Sequence, residues 1–401
     1  MKLSVIIVSY QVRHYLAQCL DSLQRALKDL ESEVIVVDNH SSDDTVAYIR
    51  KNYSWVRVIA NNHNLGFAKA NNIALRLAKG EYVLFVNPDV VVAENTVKEC
   101  VDVLAEHLET GALGVCMLNR DGTRALESRR GIPTPMTAFY KMSGLCKIYP
   151  KSRRFGRYYM GWLPWDVPVE IEIVSGAFTM LRTSVMREMN GYDEEYFMYG
   201  EDIDLSYRLL KAGYKNLYLP NTILHYKGES THKSSFRYVH VFYEAMLIFL
   251  QKHFGQLSFL LTIPIKLAIY VRALGALVKM SVHRLKKMLG FTIRPRRKQP
   301  VYVCVGNQDM LDMCKEKIDE KAYEGVYVMG NATTLPSGHS SQSERLLSEY
   351  PDKDIVVVYD TASYSYADIF DIFMSTANPN VTIGFYYADK NIIITPNEIV
   401  E

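Results

Sequence analysis

Four largely apolar runs lie within residues 1–90, and each ends in polar residues. The runs read LSVIIVS, EVIVVDN, WVRVIAN and YVLFVN. Strands that are buried on both faces of a parallel sheet have this continuous apolar character. Helical patterns separate the runs, and the clearest is a leucine series on one helix face, Leu16, Leu20, Leu23, Leu27 and Leu30. The alternation predicts βαβ crossovers and an α/β fold with a doubly wound sheet over residues 1 to about 120.

The pattern changes beyond that sheet. Residues from about 120 to 170 are irregular and rich in arginine, and strand signals then resume at EIEIVSGAFTMLRT, followed by a helical stretch. The segment Leu257 to Val282 is apolar but carries Lys266, Arg272 and Lys279. Its longest charge-free run is too short to cross a bilayer, which needs about 20 apolar residues. We therefore expect a basic amphipathic helical segment in the membrane interface; a core helix with a basic linker and a spanning helix are the alternatives.

A second series of strand and helix signals begins after Pro300, with the apolar runs VYVCVG, GVYVMGN, DIVVVYD and VTIGFYY. Gly306 stands without the further glycines of the G-x-G-x-x-G fingerprint, so no dinucleotide fingerprint is present. We predict a small C-terminal Rossmann-like α/β domain, with protein docking or regulation favoured over nucleotide binding. The predicted division is an N-terminal domain at 1–250, a basic membrane-associating segment at 251–299 and this domain at 300–401.

Composition narrows the class of protein. Hydrophobic residues make up 48% and charged residues 22% of the 401 positions, which is typical of a globular chain rather than a disordered one. The six cysteines form no C-x-x-C pair and no metal-ligand spacing, which favours a reducing compartment. The N-terminal apolar stretch is short for a signal region, so we interpret it as the first strand. The net charge of +2 hides an asymmetry, because no acid lies between Glu244 and Asp309, where Lys and Arg accumulate.

Polar residues mark the carboxyl ends of all four N-terminal runs: Ser9-Tyr10, Asp38-Asn39, Asn61-Asn62 and Asn87-Pro88-Asp89. Doubly wound sheets bind their ligands at this edge, so the four ends together predict a nucleotide-sized site. A single polar strand end is commonly only a helix cap, and we expect Ser41 or Ser42 to cap the second helix.

The stretch NNHNLGFAKANN offers a second group of polar residues at the start of a helix, Asn64, Gly66, Asn71 and Asn72. Asparagine amides and a helix N-terminus can bind diphosphate oxygens or ribose hydroxyls. Asn and Gly are also ordinary turn residues, so this stretch alone leaves both interpretations open.

The stretch FMYGEDIDLSYRLLKAG contains the strongest candidate for a general base. Gly200 allows a tight turn, after which Glu201 and Asp202 begin a helix. The helix dipole favours acids in a first turn, and this is the purely structural explanation. The aromatic run before them, Tyr196 to Tyr199, instead favours a carboxylate that is poised to accept a proton.

These motifs occur in order and together resemble family 2 glycosyltransferases. They cover about residues 1 to 250 and comprise VIIVSY, EVIVVDNHSSDDT, NLGFAKANN, LFVNPDV, VSGAFTMLR, GYDEEYFMYGEDIDLSYRLLKAGY and ILHYKGES. The chain is most similar to the rhamnosyltransferase-like branch, in which Asn-Pro-Asp commonly replaces Asp-x-Asp. The resemblance implies the A-type glycosyltransferase fold, a Rossmann-like nucleotide half joined to an acceptor half.

The resemblance also implies roles for individual residues. Asp89 would bind a divalent ion, Mg²⁺ or Mn²⁺, at the diphosphate, and His225 would reach the metal or the diphosphate unless it is a structural histidine. Asp202 would be the catalytic base, with Glu201 as its rival. Ser9 and Asp38 would lie around the nucleobase and ribose, within a nucleotide-sugar site formed by Ser9, Tyr10, Asp38, Asn39, Asn64, Gly66, Asn71 and Asn87.

The expected function is inverting transfer of a sugar, with rhamnose or another deoxysugar as candidates, from a nucleoside-diphosphate sugar to a saccharide hydroxyl in cell-surface polysaccharide synthesis. The acid-free segment carries 11 basic residues, which favours an anionic membrane surface. We therefore expect a polyprenyl-diphosphate-linked acceptor and a peripheral location on the cytoplasmic face of a bacterial membrane; a soluble acceptor is the alternative. Residues 300–401 would dock a glycan-assembly partner, and no nucleic-acid partner is expected.

Three other function classes fit the sequence less well. A nucleotidyltransferase would carry a glycine-rich loop after its first strand, and VSYQVRHYL has no glycine. A processive synthase would need several spanning helices and a Gln-x-x-Arg-Trp signature, and none of the three tryptophans has that context. A catalytically inactive scaffold that binds a membrane or partner is favoured by Asn87 and disfavoured by Asp89, Glu201 and Asp202.

Overall fold

Two sheets organise the protein, whose computed structural model describes residues 1–227, 236–255, 281–282, 285–286, 288 and 299–401. The strands of the first sheet are β1 (Leu3–Ser9), β2 (Ser32–Asp38), β3 (Val56–Ala60), β4 (Tyr82–Val86), β5 (Val90–Val92), β6 (Thr110–Leu118), β7 (Val169–Ile171), β8 (Phe178–Arg182) and β9 (Lys215–His225). The accompanying helices are α1 (Arg13–Ala26), α2 (Thr45–Asn52), α3 (Phe67–Leu75), α4 (Thr96–Glu106), α5 (Pro135–Met142), α6 (Leu145–Ile148), α7 (Thr183–Glu188), α8 (Glu201–Lys211) and α9 (Phe236–Phe254).

The first sheet has the strand order β3-β2-β1-β4-β8-β6-β9-β5, with β7 paired to β9. Strands β1 to β4 are parallel, as their continuous apolar runs predict. Beyond β4 the sheet becomes mixed, because β8 runs antiparallel to β4 and β5 runs antiparallel to β9. The sheet therefore has a parallel half from the start of the chain and a mixed half from the later strands.

Successive side chains of the central strands enter two different cores. On β1, Ile6 packs into one core and Ile7 into the other, and Ile35 and Val36 on β2 divide in the same way. All four are at most 1% exposed. Because both faces are covered, the strands show no alternation of apolar and polar residues.

The register brings the polar strand ends together. Ser9 lies opposite Asp38 in the parallel pair of β1 and β2. The predicted cap by Ser41 or Ser42 is wrong, because α2 begins at Thr45 with Asp44 in the capping position. Ser41 instead donates two hydrogen bonds to the Asp38 carboxylate, one from its backbone amide and one from its hydroxyl.

The second sheet has the order β11-β10-β12-β13-β14-β15. Its first four strands are parallel, which confirms the predicted Rossmann-like α/β character, and the last two are antiparallel additions. The strands are β10 (Val301–Gly306), β11 (Glu324–Met329), β12 (Ile355–Asp360), β13 (Val381–Tyr387), β14 (Ile392–Ile394) and β15 (Ile399–Val400), and the helices are α10 (Gln308–Glu320), α11 (Ser343–Glu349) and α12 (Tyr366–Ser375).

Polar contacts join the two α/β units. The Glu94 carboxylate accepts the amides of Tyr366 (3.0 Å) and Ala367 (3.1 Å) at the start of α12. Arg25 of α1 donates to the Thr361 carbonyl (2.7 Å). The C-terminal unit therefore packs directly against the unit that carries the first sheet.

The predicted basic amphipathic segment at 251–299 lies mostly outside the described residues. Helix α9 ends at Phe254, shortly after the start of that predicted segment. Among the helices of the described ranges, none combines the length and the apolar character that crossing a membrane requires.

Candidate active site

A cavity of about 640 Å³ opens at the carboxyl edge of the parallel half of the first sheet. Much of the cavity lining is apolar, including Met142, Met246 and Phe249. A cavity of this size with convergent polar groups is typical of a small-molecule site. The candidate site residues from the sequence that line the cavity are Tyr10, Asn39, Asn64, Gly66, Asn87, Asp89, Glu201, Asp202 and His225.

Ser9 and Asp38 are buried at the strand ends and are not among the lining residues. Asp38 accepts hydrogen bonds from the amide (2.8 Å) and the hydroxyl (2.6 Å) of Ser41, and these bonds order the turn after β2. The Ser9 Oγ has no hydrogen-bond partner within the described residues. The next residues along the chain, Tyr10 and Asn39, do line the cavity, so Ser9 and Asp38 support its edge in this conformation.

The asparagine-rich turn before α3 is held by its own side chains. The Asn39 amide donates to the Gly66 carbonyl (3.0 Å) and its oxygen accepts from Asn61 (3.0 Å), while the Asn64 oxygen accepts the Gly66 amide (2.9 Å). Gly66 has φ +83°, and a Cβ there would lie 2.5 Å from the Phe197 carbonyl oxygen. Only glycine lets this turn approach the loop that precedes α8 so closely.

Asn71 lies within α3 rather than at the cavity. It is 1% exposed, and its amide donates to the Phe67 carbonyl one turn earlier (2.9 Å). The neighbouring Asn72 binds the carbonyl (2.8 Å) and the amide (2.9 Å) of Tyr192. In this conformation both asparagines hold α3 in place.

Asp89 and His225 meet at the end of β4. The strand that follows Asp89 pairs with β9 so that Val90 lies opposite His225. The His225 Nε2 is 3.4 Å from the Asp89 Oδ1 and 3.5 Å from the Asn87 Nδ2. Asp89 is 4% exposed yet lines the cavity. The NPD motif and β9 therefore bring three polar groups to one corner.

A backbone turn aims the first turn of α8 into the cavity. Tyr199 (φ +67°) and Gly200 (φ +84°) are both left-handed, and a bulky residue rarely adopts that conformation. Strained backbone of this kind persists where the surroundings enforce it, commonly at functional sites. Helix α8 then begins at Glu201, as the sequence predicts.

Glu201 and Asp202 lie in different environments. Burial raises the pKa of Glu201 to about 8, and the neighbouring Asp202 charge adds to the rise. The Glu201 Oε2 has no hydrogen-bond partner in the described part of the chain. In contrast, Asp202 forms an ion pair with Arg130 and accepts the amides of Gly176 (3.1 Å) and Ile203 (2.8 Å). Glu201 is therefore mostly protonated near neutral pH. The Asp202 carboxylate instead accepts hydrogen bonds from the donors around it.

Arg130 and Lys227 also line the cavity, and neither was singled out from the sequence. Burial lowers the pKa of the Arg130 guanidinium, but Asp202, Tyr158 and Glu127 together raise this pKa by more, so the net shift is upward. Lys227 has φ +60° and donates to Asn119 (2.7 Å) and Glu127 (3.1 Å). The sequence contained a signal for Arg130, its position in the irregular, arginine-rich stretch from about 120 to 170, but that signal does not distinguish it from the neighbouring arginines.

The donors at the NPD corner suit a divalent ion that is shared with a ligand. Asp89 offers a carboxylate oxygen and His225 an imidazole nitrogen. Both kinds of ligand bind Mn²⁺, and carboxylates also bind Mg²⁺. Across the described ranges, no group of three or more His, Cys, Asp and Glu side chains could hold a metal ion. An ion here would therefore need further oxygens from a bound molecule or from water.

Comparison with known proteins shows which families the chain is similar to. Residues 4–188 match the family model described as glycosyl transferase family 2, and residues 156–233 match the one described as the N-terminal domain of galactosyltransferase. The chain is 29% identical over 274 residues to N-acetylglucosaminyl-diphospho-decaprenol L-rhamnosyltransferase of Mycobacterium tuberculosis, covering 63% of this chain and 85% of that protein. It is 28% identical over 227 residues to rhamnosyltransferase WbbL of Escherichia coli, covering 54% of this chain and 80% of that protein.

A crystal structure of S. aureus TarS 1-349 in complex with UDP-GlcNAc is 24% identical and covers 62% of this chain and 65% of that chain, with a TM-score of 0.43. The family match and the sheet order confirm the predicted A-type glycosyltransferase fold. Residues 4–188 therefore match the family 2 glycosyltransferases, and the sequence is similar to rhamnosyltransferases within that family.

Proposed function

We propose that the protein transfers a sugar from a nucleoside-diphosphate sugar to a hydroxyl of a saccharide acceptor, with inversion at the anomeric carbon. The observation that carries the proposal is that one cavity contains both the Asp89–His225 corner and Asp202. The corner suits the donor diphosphate, and the carboxylate suits the acceptor hydroxyl. Direct displacement between the two needs no nucleophile from the enzyme.

Asp202 is the proposed general base. The acceptor hydroxyl must lose its proton as its oxygen attacks the anomeric carbon, and a positioned carboxylate can take that proton. Arg130 and the Gly176 amide orient the Asp202 Oδ2, while the Oδ1 accepts only the Ile203 amide among its described contacts and keeps a lone pair for the acceptor. Glu201 is the weaker candidate, because a carboxyl whose pKa is about 8 holds its own proton near neutral pH.

The donor diphosphate is proposed to lie at the corner of Asn87, Asp89 and His225. Asp89 and His225 would hold Mg²⁺ or Mn²⁺ together with diphosphate oxygens. Bound there, such an ion supplies positive charge that stabilises the departing nucleoside diphosphate. The asparagine turn of Asn39 and Asn64 would contact the nucleotide, since both residues line the same cavity.

The proposed acceptor is a polyprenyl-diphosphate-linked saccharide, and the proposed donor sugar is rhamnose or another deoxysugar. The Mycobacterium tuberculosis relative is named as an L-rhamnosyltransferase for N-acetylglucosaminyl-diphospho-decaprenol, and we extend that class of reaction to this chain. The apolar part of the cavity lining and the basic segment 251–299 support a lipid-linked acceptor. The corresponding location is peripheral, on the cytoplasmic face of the membrane, with residues 300–401 docking a partner.

A catalytically inactive scaffold is the second candidate, because Asn87 stands where related enzymes commonly have an acid. Nucleotide release separates the two candidates. We expect the parent protein to release nucleotide from one deoxysugar nucleotide only when a divalent ion and an acceptor are present, and a chelator to abolish release. Nuclear magnetic resonance of the product would show whether the anomeric configuration is inverted. Absence of turnover across donors, acceptors and both metals would reject the enzyme and favour the scaffold.

A further inference from the structure

A group of exposed apolar side chains lies on α5 and α6, just outside the cavity. Met136, Phe139, Ile148 and Tyr149 are 52%, 56%, 65% and 53% exposed. Single exposed apolar residues are ordinary, but a group of large ones marks an interaction surface. We refer to these four residues as the α5–α6 surface.

Aromatic contacts join the two helices into one unit. The Phe155 ring lies between Tyr140 of α5 and Tyr149 after α6, with centroid distances of 5.1 Å and 5.7 Å. Tyr140 also contacts Phe139 at 6.0 Å, and Arg154 donates to the Tyr140 hydroxyl (3.2 Å). The four exposed side chains therefore belong to one packed pair of helices and the residue that follows it, rather than to separate loops.

The charge around this surface has one sign. No Asp or Glu occurs between Glu127 and Asp166. Within that stretch, the basic residues Lys147, Lys151 and Arg153 are exposed. Apolar side chains that are flanked by exposed basic groups complement a bilayer with anionic headgroups, because the apolar groups enter the interface while the cations stay at the phosphates.

Helix α5 also forms part of the cavity wall. Ala138, Lys141 and Met142 line the cavity, while Met136 and Phe139 are exposed and do not. Met142 does both, since it is 38% exposed and lines the cavity. It therefore marks the rim between the cavity and the α5–α6 surface.

We propose that the α5–α6 surface is a membrane contact that seats the rim of the cavity on an anionic bilayer. The inference rests on the proposed function in one respect: a lipid-linked acceptor would reach the cavity past Met142 without leaving the bilayer. It differs from the membrane association expected of the segment 251–299, because it uses other residues and lies at the cavity itself.

Vesicle flotation of the full chain tests the surface directly. On vesicles of phosphatidylcholine with phosphatidylglycerol, the double variant Met136→Ser/Phe139→Ser should bind about tenfold more weakly or worse, because two apolar side chains no longer enter the interface. The matched control is Leu108→Ser/Met329→Ser, whose side chains are 73% and 71% exposed elsewhere, and it should bind like the parent.

The charge contribution is tested separately with Lys147→Ala/Lys151→Ala. This variant should lose about 30-fold in binding to the anionic vesicles and nothing on pure phosphatidylcholine, since each of the two basic residues contributes about 1 kcal/mol near an anionic surface. Arg154 is left in place because it holds Tyr140.

Transfer assays distinguish failure of this inference from failure of the proposed function. With a short-chain, water-soluble acceptor, Met136→Ser/Phe139→Ser should match the parent, and with the acceptor embedded in vesicles it should fall about tenfold. If the parent transfers to neither acceptor, the proposed function fails, while flotation still decides the surface. Equal flotation of this variant and its control would overturn the inference. Loss of self-association in light scattering with flotation unchanged would also overturn it and assign the surface to a second copy.

Discussion

The parallel strands of the two sheets place similar polar residues at their carboxyl ends, but the two sheets engage these residues differently. In the second sheet, Asp360 at the end of β12 accepts hydrogen bonds from the Asn307 amide (3.0 Å) and the Ala362 backbone (2.9 Å). Asn307 in turn caps α10 by accepting the Met310 amide (2.9 Å). The polar groups of this edge are satisfied by the turns that carry them.

The first sheet leaves comparable groups around a cavity. The Ser9 Oγ, the Glu201 Oε2 and the His225 Nδ1 are buried and have no hydrogen-bond partner in the ranges that the structure describes. An unsatisfied buried polar atom costs about 1–3 kcal/mol, so such atoms need an explanation. The left-handed Tyr199 and Lys227 add backbone strain beside the same cavity. The comparison indicates that polar strand ends alone do not mark a candidate site; in this chain the unsatisfied groups and the backbone strain lie around an open cavity.

The largest expected effect distinguishes two aspartates, Asp202 at the cavity and Asp360 at the end of β12. Asp202→Asn should lower the transfer rate by about 10²–10⁴-fold, because the acceptor loses its general base. Asp360→Asn should change transfer less than about twofold but lower the free energy of unfolding by about 1–3 kcal/mol, because it disturbs a buried hydrogen-bond network. Nucleotide release and urea unfolding measure the two effects. If the transfer rate of Asp202→Asn stays within tenfold of the parent rate, Asp202 is not the general base and the role is assigned to Glu201.

The second prediction concerns the asymmetry of the NPD corner. Asp89→Ala should lower transfer by at least about 100-fold, because metal binding supplies several kcal/mol of charge stabilisation. Asn87→Asp should be tolerated and should tighten metal binding, since it adds a second carboxylate beside His225. The rate of transfer as a function of Mn²⁺ concentration checks both variants. Unchanged metal dependence in Asp89→Ala would place the metal elsewhere.

The third prediction concerns Glu201, whose buried Oε2 has no hydrogen-bond partner in the described residues, unlike the hydrogen-bonded carboxylate of Asp360. The pKa of Glu201 rises from its ordinary value near 4.5 to about 8 in the folded chain, so between these values the folded state holds a proton that the unfolded state has lost. Stability from this group is therefore full below pH 4.5 and is lost as the pH rises through about 8, at about 1.4 kcal/mol per pH unit.

Glu201→Gln should remove this dependence. Urea unfolding at about pH 5 should give similar free energies for parent and variant, and at about pH 9 the variant should be more stable by a few kcal/mol. Parallel pH profiles of the two proteins would show that Glu201 ionises normally in the folded state.

The smallest expected effect lies at the contact between the two units. Glu94→Gln removes the negative charge that meets the amides of Tyr366 and Ala367 at the start of α12, and it should lower the free energy of unfolding by about 0.3–1 kcal/mol. Glu106→Gln, an exposed acid of α4, is the matched control and should have no measurable effect. Neither variant should alter transfer. A large loss of transfer in Glu94→Gln would mean that the C-terminal unit takes part in catalysis.

Local sequence patterns were sufficient for much of the fold. The parallel strands β1, β2 and β4 were predictable because burial on both faces imposes continuous apolar runs. The start of α8 at Glu201 was predictable because Gly200 and a first turn of acids mark a helix start. Strands β14 and β15 were not predicted, because three and two residues carry no usable periodicity.

The polar residues of the candidate site could be recognised in the sequence, because polar residues commonly stand at strand ends and helix starts. Which of these residues meet, and in what ionisation state, depended on packing. Asn87 and His225 are 138 positions apart, and Arg130 and Asp202 are 72 apart. The register of β5 on β9 brings the first pair together, and no local pattern encodes such a pairing. The proton on Glu201 likewise depends on how completely distant parts of the chain exclude water from its carboxyl group.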